Sequence, residues 1–392
     1  MVPPTKRFST FTRNVGVFTL AGVIALTASC IGNSEGRRGG PEAAYAGPTI
    51  GFSGPTAPLL QGRAVVDKKG NLMMAWSGAS ATIRFRGRAV SVDLTEKGEN
   101  NYLVLIDGKP KREKVVPDPG RSTIELVRGL SQGEHTVTLY KLTEPSVGTS
   151  LIHAFILNNA GEALPAPRAR KIRIEVIGDS ITAGYGNEGP NETCGFSPET
   201  ENHFKTYAAR AARALQADLT TLAWSGKGVF SNRGSKTDRV TMSALWTKSL
   251  PKENVDYDFS APPPQVVLIN LGTNDFAPEV KDYTPFSSAY ESLLHDVRNR
   301  YPEAQIFALL GPMMSDNYPE GRNALTKIRS DLSALVQKKN DGGDKKLHFL
   351  EFAVMQQDEG RGCHWHPSVK THERMAATLV STIRKKTELG GK

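Results

Sequence analysis

The sequence predicts an α/β chain in two parts. An antiparallel β-sandwich spans residues 49–160, and an α/β/α sandwich built on a parallel sheet spans residues 172–388. Three observations predict this. The first part alternates apolar and polar residues in short runs, with turns about every ten residues and no amphipathic helix of useful length. The second part alternates apolar strands with helical segments, the pattern of a parallel sheet covered on both faces. Between them the Pro-rich stretch ALPAPRAR marks a linker over residues 161–171, where the rhythm changes.

Before these domains stands an export signal. Lys6, Arg7 and Arg13 form a basic n-region without acids, and residues 15–28 form an apolar run too short to suit a membrane span. Residues 1–29 are therefore expected to be a signal peptide. The run ends LTASC, which resembles a bacterial lipobox with Cys30 as the lipidated residue, although Thr27 stands where Leu, Val or Ile is usual. The expectation is an exported lipoprotein at the outer membrane or cell surface, with a periplasmic or secreted protein as the alternative. Residues 30–48, rich in Gly, Ala, Arg and Pro, read as a flexible tether.

In the sandwich, ATIRFRG, AVSVDLT, NYLVLIDG, STIELVRG, EHTVTLYKL and LIHAFIL are strands, and the Asp-Gly ending NYLVLIDG is a tight-turn signal. Trp76 sits on such a strand as a core residue. In the second domain IRIEVIG, DLTTLAW, QVVLINLG, QIFALLG and LHFLEF are strands. Helices are expected over residues 202–215, 285–301, 322–339 and from Pro367 onward.

The 392-residue chain carries a net charge of +9. Its basic residues are scattered (KPKREK, RARKIR, IRKK), and no aromatic-interleaved nucleic-acid motif accompanies them, so a solvated basic surface is expected. The chain has three cysteines. With Cys30 lipidated, Cys194 and Cys363 remain as a pair for an oxidising compartment to bridge, the alternative being two free buried thiols.

In open α/β sheets ligands bind beyond the carboxyl ends of the strands. Four stretches stand there. GDSITAGYG places Ser180 at a strand-to-helix turn, where free backbone N–H groups suit a nucleophile that must also stabilise an oxyanion. WSGKGVFSN offers glycines that let the backbone approach a ligand. NLGTNDF offers the Asn274 amide, and GCHWHPS offers His366 just before Pro367. Each alone has a bland reading as a cap or turn; all four at successive strand ends point to one site.

Together these residues resemble the four blocks of the SGNH (GDSL-type) hydrolases. With the N-terminal strands, with CGFSPETENHFKTYAARAAR and with INLGTNDF, the chain resembles carbohydrate esterase family 2 over roughly residues 50–388. The resemblance implies a jelly-roll β-sandwich joined to an SGNH domain. It also implies removal of acetyl esters from xylan, glucomannan and related sugars, leaning toward the 6-hydroxyl of hexoses. Carried over by position, Ser180 is the nucleophile and His366 the base. Ser180 N–H, Gly226 N–H and the Asn274 amide form the oxyanion hole, with Gly228 as fallback for Gly226. No cofactor is implied. The implied partner is an acetylated polysaccharide or oligosaccharide, with no nucleic acid, and with a membrane only through a lipid at Cys30.

One family feature is missing. The aspartate that most SGNH hydrolases place three residues before the histidine is Cys363 here, and the position two before, used by some relatives, is His364. The leading expectation is a Ser–His dyad with backbone carbonyls holding the imidazole. The alternative is a triad completed by Asp358 or Glu359. A zinc site is not expected: His364 and His366 point to opposite sides of an extended segment, and no carboxylate at ligand spacing completes a set with His372. Trp365 is a candidate floor for a sugar ring, with Tyr185 and Trp246 as weaker candidates. Bridged to Cys194, Cys363 would pin the histidine loop to the loop after the serine. The competing functions are a lipid or thioester hydrolase on the same scaffold and a carbohydrate-binding envelope lipoprotein that has lost catalysis.

Overall fold

A computed structural model describes residues 47–234 and 237–389. The segment expected to be a signal peptide, most of the expected tether and Cys30 lie outside the described residues.

Twelve strands build the first domain: β1 (Thr49–Ile50), β2 (Leu59–Gln61), β3 (Val65–Val66), β4 (Leu72–Met74), β5 (Ser80–Arg86), β6 (Val90–Glu96), β7 (Tyr102–Ile106), β8 (Lys109–Val115), β9 (Gly120–Val127), β10 (Glu134–Lys141), β11 (Ser150–Leu157) and β12 (Glu162–Leu164). They form two antiparallel sheets. One runs β3-β4-β11-β6-β9 with β1 on β11; the other runs β12-β5-β10-β7-β8 with β2 on β5. The alternation in the sequence becomes two faces. In β5, Ala81, Ile83 and Phe85 are buried while Arg86 stands outside, paired with Glu134 of β10. Ile83, Phe85, Val92, Leu94, Val104, Val137, Leu139 and Phe155 fill the space between the sheets. The KPKREK run is β8, an edge strand whose exposed charges guard its unpaired side. The expected linker 161–171 is only partly a connector, because β12 adds a strand to β5 before the chain leaves.

The second domain contains β13 (Ile172–Gly178), α1 (Ser180–Ala183), α2 (Tyr207–Ala214), β14 (Ala217–Ala223), α3 (Met242–Leu245), a small hairpin β15 (Lys248–Leu250) and β16 (Val255–Asp256), β17 (Val266–Asn270), α4 (Pro285–Arg300), β18 (Gln305–Leu310), α5 (Ala324–Asp341), β19 (Leu347–Glu351) and α6 (Val369–Lys386). The main sheet is parallel, in the order β14-β13-β17-β18-β19. On one face Ile177, Val267 and Ile269 pack against Tyr290, Leu293, Leu332 and Val336 of α4 and α5. On the other, Val176, Leu268 and Leu309 pack against Ala208, Ala212, Met375 and Leu379 of α2 and α6. Two helix starts differ from expectation. The 202–215 segment opens with a 3₁₀ turn, His203–Lys205, and α2 begins only after Thr206, whose hydroxyl caps it. Pro367 does not open the last helix either; Ser368 caps α6 by accepting from Thr371 N–H.

The two domains share their interiors. Trp76 is a core residue, but its core is that of the second domain, where its Nε1 donates to Lys248 O at 3.1 Å. Arg63, fully buried, donates to Glu175 of β13 at 3.0 Å and lies over the Tyr257 ring at 4.1 Å. A buried charge needs such pairing, so Arg63 fixes where the sandwich sits on the sheet.

Candidate active site

The four strand-end stretches meet at the carboxyl edge of the parallel sheet. Ser180 follows β13 and begins α1, which Asp179 caps by accepting from Ile181 N–H at 3.0 Å. Ser180 is 6% exposed. Its Oγ lies 2.8 Å from Nε2 of His366. The other ring nitrogen, Nδ1, faces two backbone carbonyls, Cys363 O at 3.0 Å and His364 O at 3.1 Å. A carbonyl only accepts, so Nδ1 carries the proton and Nε2 presents its lone pair to the serine hydroxyl. This is the tautomer a general base needs.

The loop that supplies those carbonyls is tightly held. His364 and Trp365 both take left-handed backbone conformations, at φ +50° and +64°. Such non-glycine positions cost of order 1–3 kcal/mol each and persist only where neighbours over-determine them. Here a Cys194–Cys363 disulfide anchors the loop, with Cα atoms 4.7 Å apart. Cys363 N–H donates to Gly186 O, His364 N–H to Cys194 O and Gly362 N–H to His366 O. Gly186 has no room for a side chain against Cys363, and its φ is +57°. The bridge closes a loop of 169 residues, for which the chain-entropy estimate is about 5 kcal/mol.

Neither sequence candidate for a third acid reaches the imidazole. Glu359 turns the other way, where its carboxylate accepts from Arg374, from Thr371 Oγ1 and from Gln356 N–H. The Arg374 guanidinium holds its pKa down to about 2. Asp358 lies exposed in the same 3₁₀ turn, Gln357–Glu359. The reason is local: Glu359 serves the turn that leads into α6, and Asp358 faces solvent.

The Tyr185 ring lies 4.3 Å from the His366 ring and 4.5 Å from that of Phe196, and its hydroxyl meets His364 Nδ1 at 2.8 Å. Tyr185 thus backs the His366 ring and bonds its neighbour His364. Burial pulls the His366 pKa down to about 4; the two carbonyls oppose that, and the charge of nearby Arg233 adds to it. His366 is therefore neutral, and able to accept a proton, well below neutral pH.

Opposite the histidine stands a second loop. Gly226 takes φ +80°, a conformation that favours glycine, and its carbonyl accepts from Arg233 N–H at 2.8 Å. Asn274 is buried. Its Nδ2 donates to Lys227 O at 2.9 Å and to Asp179 Oδ2 at 3.5 Å, which places the amide beside the residue preceding Ser180. Gly228 does not serve as the fallback donor, because its N–H is given to Asn232 Oδ1 at 3.2 Å. Asp275 was not singled out by sequence reasoning. It is fully buried, and its carboxylate accepts from Val229, Phe230 and Ser231 N–H at 2.8–3.0 Å. Three successive N–H groups closing on one carboxylate form a nest that fixes the loop. Burial raises the pKa of Asp275 to about 6 and that of Asp179 to about 7, with the charge of Asp275 adding to the latter. The only signal in the sequence was the position of Asp275 beside Asn274.

Of the aromatic candidates, Trp365 is 60% exposed at the rim, next to the base. Trp246 is not in the cleft. It is 2% exposed and packs against Phe259 and Tyr301 near Arg63. It follows the short helix α3, which turns its ring into the domain core. His372 is buried, with its Nδ1 accepting from Tyr207 N–H at 3.2 Å. Among the described residues, no group of three or more His, Cys, Asp or Glu side chains is arranged to hold a metal ion.

The arrangement can take the proton of a serine hydroxyl and return it to a leaving group. Two family descriptions match this chain: Carbohydrate esterase 2 N-terminal over residues 60–167, and the GDSL-like Lipase/Acylhydrolase family over residues 176–374. The chain is 39% identical over 328 residues to the cellulase/esterase CelE of Acetivibrio thermocellus, covering 84% of this chain and 39% of that protein, so it spans well under half the length of that relative. It is 26% identical over 341 residues to an acetylxylan esterase / glucomannan deacetylase of Cellvibrio japonicus, covering 83% of this chain and 90% of the other. A solved structure of a family two carbohydrate esterase from Clostridium thermocellum, in complex with cellohexaose, superposes with a TM-score of 0.80 at 38% identity, covering 84% of this chain and 99% of that one.

Proposed function

The chain belongs to carbohydrate esterase family 2, and from that premise we propose that it is a serine esterase removing O-acetyl groups from polysaccharides and oligosaccharides. The observation that carries the reading is the Ser180–His366 contact, with the far side of the imidazole held by two carbonyls. Ser180 Oγ attacks the acetyl carbonyl while His366 Nε2 takes its proton. The tetrahedral oxyanion sits among Ser180 N–H, Gly226 N–H and the Asn274 amide, where each donor is worth about 3–4 kcal/mol. His366 then protonates the departing sugar oxygen, and the acetyl group stays on Ser180. Water, deprotonated by the same imidazole, attacks the acetyl-enzyme and releases acetate. In this reading the enzyme is a Ser–His dyad.

The substrate is an acetylated sugar chain of the xylan or glucomannan type. A relative named as an acetylxylan esterase / glucomannan deacetylase and a family structure holding cellohexaose support that class. Trp365 presents an exposed indole beside the base, a surface suited to a pyranose ring. Export, with a lipid on Cys30, remains the proposed location; labelling with radioactive palmitate that is lost in Cys30→Ala would support it.

The test is acetate release from acetylated xylan and acetylated glucomannan, wild type beside Ser180→Ala. Release that vanishes with the serine supports the esterase and ranks the polymers. No release from either polymer by folded protein would overturn it.

A further inference from the structure

Glu144 touches the peptide next to the reacting atoms without reaching them. It lies just beyond β10, on the sandwich, and is 2% exposed. Its Oε2 accepts from Ser225 N–H at 2.8 Å and from Ser225 Oγ at 2.5 Å. Ser225 belongs to the other domain and directly precedes Gly226, the proposed oxyanion donor. Its neighbours are held by their own domain: Trp224 N–H donates to Gly178 O, Lys227 N–H to Trp224 O, and Gly226 O accepts from Arg233. Ser225 is the link held from outside.

The sandwich end of this contact is also fixed. Glu144 Oε1 accepts from Ser146 Oγ. Its backbone N–H donates to Glu201 Oε2 at 3.2 Å, and its carbonyl accepts from the buried Lys141 Nζ at 3.4 Å. Burial raises the pKa of the Glu144 carboxyl. Keeping an acid here carries a desolvation cost that an apolar side chain would avoid. The acid is matched to two donors of one residue, so orientation of that residue is what it supplies.

We infer that Glu144 is a positioning residue for the oxyanion loop, and that the β-sandwich is thereby part of the catalytic apparatus, not a detachable sugar-binding module. By holding both the N–H and the hydroxyl of Ser225, it fixes the preceding peptide and the orientation of the Ser225 Cα, from which the peptide carrying Gly226 N–H departs. The inference rests on the esterase reading and on Gly226 as a donor.

The experiment compares Glu144→Ala, Glu144→Gln and Ser225→Ala in the full chain. It reads kcat and KM for p-nitrophenyl acetate, inhibition by methylboronic acid as a tetrahedral mimic, and the thermal midpoint. Glu144→Ala is expected to lower kcat about tenfold or more with KM within twofold, and to weaken boronate inhibition in parallel. Glu144→Gln keeps an acceptor for Ser225 N–H and is expected to recover most of the rate. Full kcat in folded Glu144→Ala, or a loss confined to KM, would overturn the inference. Should Glu144→Ala not fold, Ser225→Ala decides in its place: a kcat loss of about threefold or more supports the inference, and unchanged kcat overturns it. Wild-type turnover that is absent, or that survives Ser180→Ala, counts against the esterase itself; wild-type turnover shared in full by these variants counts against Glu144 alone.

Discussion

The two sides of Ser180 are held by opposite means. On the histidine side no carboxylate among the described residues touches the ring; two neutral carbonyls orient it, and a disulfide and two left-handed residues hold those carbonyls in place. On the oxyanion side a buried carboxylate, Asp275, gathers three backbone N–H groups. The difference follows from what each group must do. A carboxylate beside an imidazole favours the charged ring and raises its pKa. Carbonyls select the same tautomer with less charge, and here the ring stays depressed to about 4. Several N–H donors that must point in fixed directions need an acceptor with several lone pairs, and a carboxylate supplies four. Charge is placed where it organises donors and left out where it would load the base.

The largest effects should come from the atoms both sides serve. Ser180→Ala and His366→Ala are each expected to lower kcat by about 10⁴ or more, measured as acetate release, with binding of the sugar chain retained. Residual activity within a hundredfold of wild type in either would remove the dyad. Next comes the oxyanion side. Asn274→Ala should cost about 10²–10³ in kcat, the usual loss for one donor. Asp275→Asn keeps the shape but replaces one acceptor oxygen with donors, and is expected to cost at least tenfold in kcat with little change in KM. An Asp275→Asn enzyme at full rate would show that the nest does not set the donor geometry.

The pH profile sharpens the same contrast. With the His366 pKa at about 4, kcat/KM should lose no activity to protonation of the base until the pH approaches that value. Asp275, raised to about 6, brings a second and separable loss on the acid side. An acid limb near pH 6 that disappears in Asp275→Asn assigns it to the carboxylate. Asp179, raised to about 7, is a third group able to titrate there. A limb near 6.5 that survives both in Asp275→Asn and in Asp179→Asn would mean that the ring titrates as an ordinary histidine, and the contrast would fail. Stability should follow the buried histidines. His203, His366 and His372 all have depressed pKa values, so the stability they contribute is present above the ordinary histidine value and is lost as the pH falls toward 4 and then 3. Thermal midpoints measured from pH 7 to pH 3 check this.

Much of this was legible because it is local. The period-two runs of β5 and β10 and the apolar β13, β17 and β18 carry their own pattern; Ser180 and Asn274 follow strand ends, and His366 stands just before α6. What was not legible depends on contacts between distant residues. Glu144 meets Ser225 across 81 positions, and nothing in either stretch announces the other. Trp246 looked like a cleft aromatic because exposure cannot be read from residue type. Asp275 was visible as a letter, but its role requires the turn at 229–231 to fold back over it. The disulfide was expected from cysteine parity if Cys30 carries lipid; that it should anchor the loop holding the base follows only once the left-handed turn at 364–365 is seen.

The smallest effect is the most discriminating. Asp358→Asn and Glu359→Gln are expected to change kcat by less than tenfold, because neither carboxylate faces His366. Glu359→Gln should still matter, but to stability. Its carboxylate is bound by Arg374, Thr371 and a backbone N–H at the turn into α6, and its pKa is lowered to about 2. A carboxylate lowered in this way contributes stability that is present above its ordinary value and lost as the pH falls through about 2. The variant should therefore melt earlier than wild type at neutral pH, with the difference closing toward pH 2. A kcat loss of about 10³ in either variant would mean that the loop rearranges in solution to bring an acid to Nδ1. The histidine side would then be held by charge after all, and the two sides of the site would no longer differ in kind.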